Sequence, residues 1–384
     1  MFKWTIIGGG IQAVTIALKL REQGLDTKDL CIIDPHSNLC EQFNTFTSRI
    51  EMPYLRSPCV HHVHPNPFHL KQFAKIKQFT NPSYGKYQRP NREMFMYHTH
   101  DLIHKFDLNK SHKQTTVTAV DKDAEFWHLH CDNKQCIISE NVIIAFGCNH
   151  QIKTPQSYKD ASDVSHIFDN TYKDYAHTSH VIGSGITAAH LTLKLLKQNQ
   201  SQIHLWTNKP LAVHDFDADS GWLGPRNMKK FSQLENSTEK KSVILAERHK
   251  GSMPKELELR LKKYVMQGRL VIHVNELKKI KNHKIITEHQ QLLYDYIIFA
   301  TGFEETIMQQ PIIQQLIKIH KAPLRSCGLP NISSQLEWLP NLYVSGGLAD
   351  LELGPFARNI MGGRESAIRI TRAFIDKTHK TTVS

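Results

Sequence analysis

Two glycine-rich turns of the same type open the two halves of this chain. One occupies residues 8–13 and the other residues 183–188, and both have the pattern G-x-G-x-x-A. Each turn follows a short apolar run and precedes a stretch with the apolar periodicity of a helix. A G-x-G-x-x-A turn in this strand-turn-helix context is typical of dinucleotide binding. The repeat therefore predicts two nucleotide-binding domains in one chain.

Each position of the motif has its own physical role. The first glycine allows a tight turn, the second lets the backbone approach a pyrophosphate, and the alanine lets the helix pack closely on the strand. The helix N-terminus adds unpaired N–H groups and a partial positive charge. One copy is equally compatible with a plain strand-helix connection, whereas two copies favour nucleotide sites. The predicted binding residues are Gly8, Gly10 and Ala13 in the first half and Gly183, Gly185 and Ala188 in the second.

Each half also closes with an apolar strand that ends in an Ala-x-Gly turn, at residues 141–147 and 295–302. Short apolar runs separated by turn residues precede these strands, at 116–138 and 270–286. Such runs predict a β-meander inserted before the last strand of each sheet. The closing-turn residues predicted to line the nucleotide sites are Gly147, Ala300 and Gly302.

This arrangement resembles the flavoproteins with two dinucleotide-binding domains, in which the first domain binds FAD and the second binds NAD(P)H. The resemblance implies an α/β fold of two Rossmann-like domains with β-meander insertions, the NAD(P)H-binding domain being inserted into the FAD-binding domain. The implied FAD-binding domain comprises residues 1–150 and 330–384, the NAD(P)H-binding domain residues 175–305, and the connecting segments residues 151–174 and 306–329.

In that family a C-terminal segment returns to the first domain, and residues 340–355 match it here. The resemblance implies that four residues of this segment lie near FAD, namely Gly346, Gly347, Asp350 and Gly354. Asp350 matches the acid that the family places near the ribityl chain and flavin. A carboxylate at a helix entry is an equally good interpretation of Asp350.

Within the superfamily, two segments resemble the monooxygenases that N-hydroxylate lysine and ornithine. Residues 55–68 resemble their flavin-side segment and residues 90–97 resemble the start of one of their helices, with His61 in place of a lysine. Residues 165–168 partly match a linker of the flavin-containing monooxygenases. The implied activity is FAD-dependent, NADPH-using hydroxylation of a small amine-type substrate by O₂ through a flavin peroxide.

Four residues of these segments are candidates for the flavin pocket: His61, His62, Arg56 and Arg92. Imidazoles can donate hydrogen bonds to flavin or peroxide oxygens and titrate near neutral pH. The two arginines would hold an anionic substrate or a phosphate, or lie at the surface. The histidines at 61–69 lack Cys or carboxylate partners at metal-ligand spacing, so no metal site is predicted.

The residues after the second strand of each half indicate which cofactor binds. Asp34 ends the first of these strands, close to the spacing of about 20 residues expected for an acid that binds a ribose 2′-hydroxyl, which suits FAD. In the second half Thr207 and Lys209 stand there without an acid. A hydroxyl and a cation would accept a 2′-phosphate, which favours NADPH over NADH. A solvated surface lysine is the alternative interpretation of Lys209.

Composition limits the remaining function classes. A chain of 384 residues with 40% hydrophobic residues can bury two ordinary cores. The formal net charge of +12 attracts polyanions, but the basic residues are scattered without a nucleic-acid motif. No apolar run reaches the roughly 20 residues that span a bilayer, and the first strand starts too near Met1 for a signal peptide. We therefore expect a cytosolic protein with a small-molecule substrate and O₂ as partners, without nucleic acid or membrane.

The seven cysteines include no C-x-x-C pair, which fits a reducing compartment and argues against a dithiol relay of the thioredoxin-reductase type. Residues 214–226 mix acidic, aromatic and turn residues, which indicates a long loop that closes over nicotinamide or substrate, or packs on the first domain. Two other functions stay open from sequence: a flavin reductase or electron-transfer oxidase without oxygen insertion, and a non-catalytic nucleotide sensor.

Overall fold

The computed structural model describes residues 1–154, 161–170, 172, 179–198 and 201–383. Part of the predicted connecting segment 151–174, and the predicted start of the second domain at residue 175, lie outside these described residues.

The strands, in chain order, are β1 (Phe2–Ile7), β2 (Leu30–Asp34), β3 (Ser83–Tyr84), β4 (Arg89–Pro90), β5 (His112–Gln114), β6 (Val117–Lys122), β7 (Trp127–Cys131), β8 (Cys136–Ile144), β9 (Val164–His166), β10 (His180–Ile182), β11 (Ile203–Thr207), β12 (Ala212–Val213), β13 (Ser252–Met253), β14 (Leu270–Val274), β15 (Lys279–Lys281), β16 (Lys284–Ile286), β17 (Gln291–Leu293), β18 (Ile297–Phe299), β19 (Glu337–Leu339) and β20 (Leu342–Val344). The helices are α1 (Ile11–Glu22), α2 (Glu41–Arg49), α3 (His69–Ile76), α4 (Arg92–Lys105), α5 (Leu108–Ser111), α6 (Ile186–Gln198), α7 (Pro225–Ser232), α8 (Ser237–Glu247), α9 (Lys255–Met266), α10 (Pro311–Lys318), α11 (Asp350–Leu353) and α12 (Ile360–Val383).

The first sheet has the order β19-β20-β8-β1-β2-β5, and its central strands are parallel. Ile6 of β1 lies between Ile32 of β2 and Ile143 of β8, and all three side chains are fully buried. Burial on both faces explains why these strands are continuous apolar runs. Strands β6 and β7 join β8 as an antiparallel meander, which confirms the predicted insertion before the closing strand.

The second sheet is parallel, with the order β14-β11-β10-β18-β9. Its own antiparallel meander is β15-β16-β17. The predicted start of that meander at residue 270 is wrong, because β14 is an edge strand of the parallel sheet, paired with β11. The segment that contains His166 is the other edge strand rather than a plain linker, since β9 pairs with β18.

The chain returns to the first domain after the second sheet, as predicted. Strand β20 pairs with β8, and α12 packs along α1. Gln12 of α1 fixes this contact by donating hydrogen bonds to the carbonyl oxygens of Ala357 (2.9 Å) and Asn359 (3.0 Å). Helix α10, within the predicted connecting segment 306–329, buries Ile313 and Leu316 in the first core. The fold class predicted from sequence, two Rossmann-like domains with meander insertions and one domain inserted into the other, is confirmed.

Three arginines of the first domain donate hydrogen bonds to the second half of the chain. Arg49 donates to the carbonyl oxygens of Ile167 and Asp169, and Arg89 pairs with Glu256 of α9. Arg56 donates to the segment 214–217 and to Ser252. Guanidinium groups suit such contacts because their fan of donors holds several oxygens at once. Among the described residues, no helix combines the length and apolarity needed to span a bilayer.

Candidate active site

The first glycine turn lies between β1 and α1 with the geometry that the motif requires. Gly8 has φ +111°, and a Cβ there would lie 2.7 Å from the backbone of Ala145, so only glycine fits. A Cβ on Gly10 would meet nothing within 4 Å, which leaves open space in front of α1. No side chain caps that helix and no acid stands in its first turn. Its N–H groups are therefore available to an anion.

Asp34 lies at the end of β2 beside this turn. Its Oδ2 accepts a hydrogen bond from the Gly9 N–H at 2.6 Å, and its Oδ1 accepts one from the His36 N–H at 2.9 Å. The carboxylate thus braces the glycine turn. Because an ionised carboxylate offers about four lone-pair positions, it retains acceptor capacity for a ribose hydroxyl.

The closing turn and the C-terminal return meet next to the first glycine turn. Gly147 has φ +80° and faces open space, whereas a Cβ on Gly347 would lie 2.6 Å from Sγ of Cys148. Asp350 is almost fully buried and accepts hydrogen bonds from Arg358, the shortest at 2.7 Å. Burial raises the pKa of Asp350 and the Arg358 guanidinium opposes that rise. The acid predicted to lie near the flavin is therefore held in an ion pair.

Gly346 and Gly354 are constrained by protein neighbours. Gly346 has φ +64°, and a Cβ there would lie 3.3 Å from Oε1 of Gln12. Gly354 has φ +71°, and a Cβ there would lie 3.0 Å from Sδ of Met228 in α7. Gly354 therefore allows α7 to pack against the C-terminal return.

The second glycine turn repeats the geometry of the first. A Cβ on Gly183 would lie 2.5 Å from the carbonyl oxygen of Ala300 and 3.0 Å from Cβ of Ala188. Gly302 has φ +80° and faces open space, as Gly147 does in the first domain. One difference is the turn at Gly251, which would lie 3.3 Å from a Cβ on Gly185. The second turn is consequently more enclosed than the first.

Thr207 and Lys209 lie after β11 and are joined to each other. The Thr207 hydroxyl donates to the carbonyl oxygen of Lys209 at 2.6 Å. The Lys209 ammonium donates to the carbonyl oxygen of Lys250 at 3.0 Å, and Lys250 in turn pairs with Glu305. Two lysines therefore converge beside the second glycine turn, and the exposed Lys209 side chain keeps donors for an anion.

A small pocket with a cavity volume of about 10 Å³, the room of about one water molecule, lies where three parts of the chain meet. Its walls come from the flavin-side segment 55–68, the predicted long loop 214–226 and residues 356–361, which directly follow the C-terminal return. The lining residues are Arg56, Ser57, Pro58, His61, Phe216, Asp217, Leu223, Phe356, Asn359 and Met361. A second pocket of similar volume is lined by Glu51 and Pro53, by His190 and other residues of α6, and by Arg260 of α9.

Of the two candidate histidines, His61 lines the pocket and His62 does not. His62 is fully buried and its ring bonds to the Pro67 carbonyl oxygen and the His64 N–H. Burial and the nearby Arg364 lower the pKa of His61 to about 4 and that of His62 to about 3. Both imidazoles are therefore uncharged at neutral pH.

The two candidate arginines are also separated. Arg56 lines the pocket but makes five hydrogen bonds to protein, to Asp217 (2.6 Å), Ser252 (2.8 Å) and three carbonyl oxygens of residues 214–216. Arg92 lies at the start of α4 and donates to Oδ1 of Asn44. Neither guanidinium is arranged to hold a substrate anion in the pocket.

Eight of the ten residues that line the pocket were not predicted as site residues, among them Asp217 and Asn359. Oδ2 of Asp217 accepts a hydrogen bond from Nδ2 of Asn359 at 2.9 Å. The mixture of acidic and aromatic residues at 214–226 was the signal for Asp217, and that loop packs on the first domain, one of the predicted outcomes. Nothing in the local sequence marks Asn359.

Comparison with solved structures shows a shared fold at low sequence identity. The ornithine N-hydroxylase of Kutzneria sp. 744, solved with reduced FAD, NADP⁺ and L-ornithine, is 13% identical, with a TM-score of 0.75 over 98% of this chain and 100% of its own. The FAD-bound cadaverine monooxygenase of Erwinia amylovora is 13% identical, with a TM-score of 0.73 over 96% and 93%. The bacillithiol disulfide reductase of Staphylococcus aureus is 15% identical, with a TM-score of 0.59 over 97% and 98%.

No curated protein sequence matches this one significantly. A family profile does: the one described as pyridine nucleotide-disulphide oxidoreductase matches residues 5–346, which include both glycine turns and both closing turns. The chain therefore belongs to the pyridine nucleotide-disulphide oxidoreductase family.

Proposed function

We propose that this protein is a FAD- and NADPH-dependent monooxygenase that hydroxylates the nitrogen of a small amine. The observation that carries the proposal is the likeness along nearly the whole chain to the ornithine N-hydroxylase and the cadaverine monooxygenase. Their TM-scores of 0.75 and 0.73 exceed the 0.59 of the disulfide reductase. The lack of a C-x-x-C pair in this sequence supports the same choice.

The residues of the first domain fit FAD. The uncapped N-terminus of α1 and the open space at Gly10 would hold the pyrophosphate, and Asp34 would accept from the adenosine ribose. Gly147, Gly346 and Gly347 would border the flavin side. Asp350, paired with Arg358, would hold the C-terminal return in place rather than contact the substrate.

The residues of the second domain fit NADPH. Gly183 and Ala188 bring α6 close to the sheet, and no acid stands in the first turn of α6. Lys209 would pair with the 2′-phosphate, and Thr207 would hold the backbone of Lys209 in place. Ala300 and Gly302 would form the turn opposite the glycine turn.

A FAD held by these residues would supply the redox chemistry that links NADPH to O₂. One oxygen atom enters an N–H bond of the amine and the other leaves as water, with the electrons supplied by NADPH. The protein contributes orientation and exclusion of water. The apolar side chains around His61 would perform the second task, and its neutral imidazole would be a hydrogen-bond acceptor. Because the pKa of His61 lies near 4, the imidazole is too weak a base to hold a proton at neutral pH.

The alternative is a flavoprotein reductase or electron-transfer oxidase, which the likeness to bacillithiol disulfide reductase keeps open. A nucleotide sensor without turnover is a further alternative. The cytosolic location and the absence of nucleic-acid and membrane partners stay predictions.

Anaerobic mixing of the FAD-loaded protein with NADPH or NADH, followed by oxygenated buffer, tests the proposal. We expect NADPH to bleach the flavin faster than NADH, and oxygen uptake to yield hydroxylated amine. Quantitative release of peroxide with every amine tested would favour the oxidase, and a flavin that neither nucleotide bleaches would leave only the sensor.

A further inference from the structure

We infer that a surface on α3 and α4 binds an anionic phospholipid bilayer. This surface, called the α3 surface below, consists of seven residues: Phe68, Lys71, Gln72, Lys75, Ile76, Lys77 and Tyr97. The prediction of no membrane partner rests on the lack of a segment that spans a bilayer, whereas the α3 surface would lie against a bilayer without crossing it. The inference departs from that prediction. It is independent of the proposed function, because binding to lipid requires no turnover.

The chain around α3 is basic and contains no acid. Residues 52–92 include seven lysines and arginines but no aspartate or glutamate, and they account for more than half of the formal net charge of +12. The three arginines of this range pair with carboxylates that lie outside it. The lysines are all exposed, and among the described residues none of their ammonium groups forms a salt bridge: Lys71, Lys75, Lys77 and Lys86. The positive charge is therefore free to attract an anionic partner.

Large apolar side chains protrude among these lysines. Ile76 is 76% exposed, Phe68 is 61% exposed and Tyr97 is 47% exposed. The opposite face of α3 buries Leu70 and Phe73, so the exposed apolar side chains are not needed for the core. Residues 68, 72 and 76 follow one another at intervals of four, which places them along one side of the helix. Apolar side chains this exposed, grouped on one face, indicate an interaction site.

Helix α4 extends the same surface. The ring of Tyr97 lies 5.4 Å from that of Phe73, and the ammonium of Lys77 lies 5.6 Å from the centre of the Tyr97 ring. Two acids of α4, Glu93 and Asp101, lie one helical turn before and after Tyr97. Glu93 pairs with Arg92, and Asp101 is half-buried. The acids of α4 therefore border the α3 surface without cancelling its charge.

A bilayer with anionic headgroups accommodates both kinds of side chain. Phe68 and Ile76 would enter the boundary between headgroups and acyl chains, where tyrosine is also favoured. The lysines would keep their ammonium groups at the level of the lipid phosphates. Stable binding at a membrane surface requires two such signals, apolar insertion and a basic patch, and the α3 surface combines them. A nucleic acid matches the charge but offers no apolar region to Phe68 and Ile76.

Flotation with vesicles tests the inference. The FAD-loaded protein would be mixed with vesicles of phosphatidylcholine alone, or of equal parts of phosphatidylcholine and phosphatidylglycerol. We expect the protein to float with the phosphatidylglycerol vesicles, with a partition coefficient about tenfold or more above that for phosphatidylcholine alone, and to be released by high salt. Equal partition into both kinds of vesicle, or into neither, would overturn the inference.

Two double variants separate the apolar contribution from the charge contribution. Phe68→Ser with Ile76→Ser removes the protruding apolar groups, and Lys71→Gln with Lys75→Gln removes two charges. Each should lower partition into phosphatidylglycerol vesicles about tenfold. All four side chains are exposed, so the melting temperature should stay that of the wild type. Loss in the lysine variant alone would indicate a site for any polyanion and would overturn the assignment to lipid.

Helix α9 provides a matched control. Leu259 and Met266 are 54% and 83% exposed and lie near lysines, but Lys262 there pairs with Glu258. Leu259→Ser with Met266→Ser should therefore leave vesicle binding unchanged, and an equal loss in this variant would show that the α3 surface has no special role.

Phe68→Trp reports the contact directly, because all five native tryptophans are buried. We expect its fluorescence to shift to shorter wavelength with phosphatidylglycerol vesicles and to be quenched by brominated acyl chains. Light scattering tests the other occupant, a second copy of the chain. A dimer that Phe68→Ser with Ile76→Ser dissociates, together with no binding to vesicles, would assign the α3 surface to self-association and overturn the inference.

Discussion

The carboxylate of Asp34 accepts a 2.6 Å hydrogen bond from the backbone N–H of Gly9, at the centre of the first glycine turn. The acid at the end of the second strand thus shapes the turn as well as the predicted ribose site. Asp34→Ala leaves the N–H groups of Gly9 and His36 without this acceptor, which we expect to cost about 1–3 kcal/mol of unfolding free energy.

Asp34→Asn keeps one acceptor oxygen and should fall between wild type and Asp34→Ala. Urea denaturation measures the stability, and titration of the apoprotein with FAD measures the affinity, which should fall in the same order. Unchanged FAD affinity in Asp34→Ala would show that the Asp34 carboxylate does not bind the cofactor.

Two glycines of the same turn should respond oppositely to alanine. Gly8→Ala places a Cβ 2.7 Å from the backbone of Ala145 at φ +111°, so we expect loss of several kcal/mol of stability or failure to fold. Gly10→Ala meets no protein atom within 4 Å at φ −76°, so the apoprotein should keep its stability within about 1 kcal/mol.

FAD affinity of Gly10→Ala should nevertheless fall at least tenfold, because the new methyl group points into the space reserved for the pyrophosphate. Circular dichroism melting of the apoprotein and FAD titration give the two readouts. A Gly10→Ala protein that binds FAD like wild type would place the pyrophosphate elsewhere.

Lys209 should control the choice of nicotinamide nucleotide. A charge-assisted hydrogen bond to a 2′-phosphate contributes about 1.5–3 kcal/mol, so Lys209→Met should raise the KM for NADPH about tenfold or more and leave that for NADH unchanged. Lys229→Met, on the exposed face of α7, removes an equal charge as a control. Equal effects of Lys209→Met on both nucleotides would assign Lys209 a structural role at its contact with Lys250.

Buried histidines should make the protein acid-sensitive. Burial lowers the pKa of His98 to about 2 and that of His62 to about 3. The folded state therefore binds fewer protons than the unfolded state below pH 6.5, the ordinary histidine value, so stability is present at neutral pH and is lost as the pH falls. Each such group contributes up to about 1.4 kcal/mol per pH unit in that window.

His98→Gln should reduce the slope of unfolding free energy against pH between pH 6.5 and 5 by about that amount, as measured by urea denaturation at a series of pH values. His289→Gln, at an exposed position, should leave the slope unchanged. A slope in His98→Gln identical to that of the wild type would contradict a neutral, buried His98.

Sequence patterns predicted the parts of the fold that depend on local physics. Gly8 and Gly183, where a Cβ would clash with backbone atoms, leave a local signature in the sequence. The Ala-x-Gly turns at Gly147 and Gly302 do the same, because their positive φ angles favour glycine. The edge strand β9 and the packing of α10 left no such local signature in the sequence. Both are short segments whose role is set by the sheet or core they join.

The pocket was less predictable than the nucleotide turns. His61 was found through its segment, but the Asp217–Asn359 contact joins residues 142 positions apart, and only the return of the chain to the first domain brings them together. For Arg56 and Arg92, the residue type alone suggested anion binding. In the structure Arg56 donates to Asp217 and backbone carbonyl oxygens, and Arg92 donates to Asn44.

The ratio of hydroxylated amine formed to NADPH oxidised tests the central claim most directly. The FAD-loaded protein would be incubated with NADPH, O₂ and cadaverine, and hydroxylamine product, NADPH and peroxide would be quantified together. A monooxygenase predicts a ratio near one with little peroxide when the amine is present. Peroxide formed in step with NADPH oxidation and no hydroxylamine, with cadaverine, lysine and ornithine alike, would contradict it.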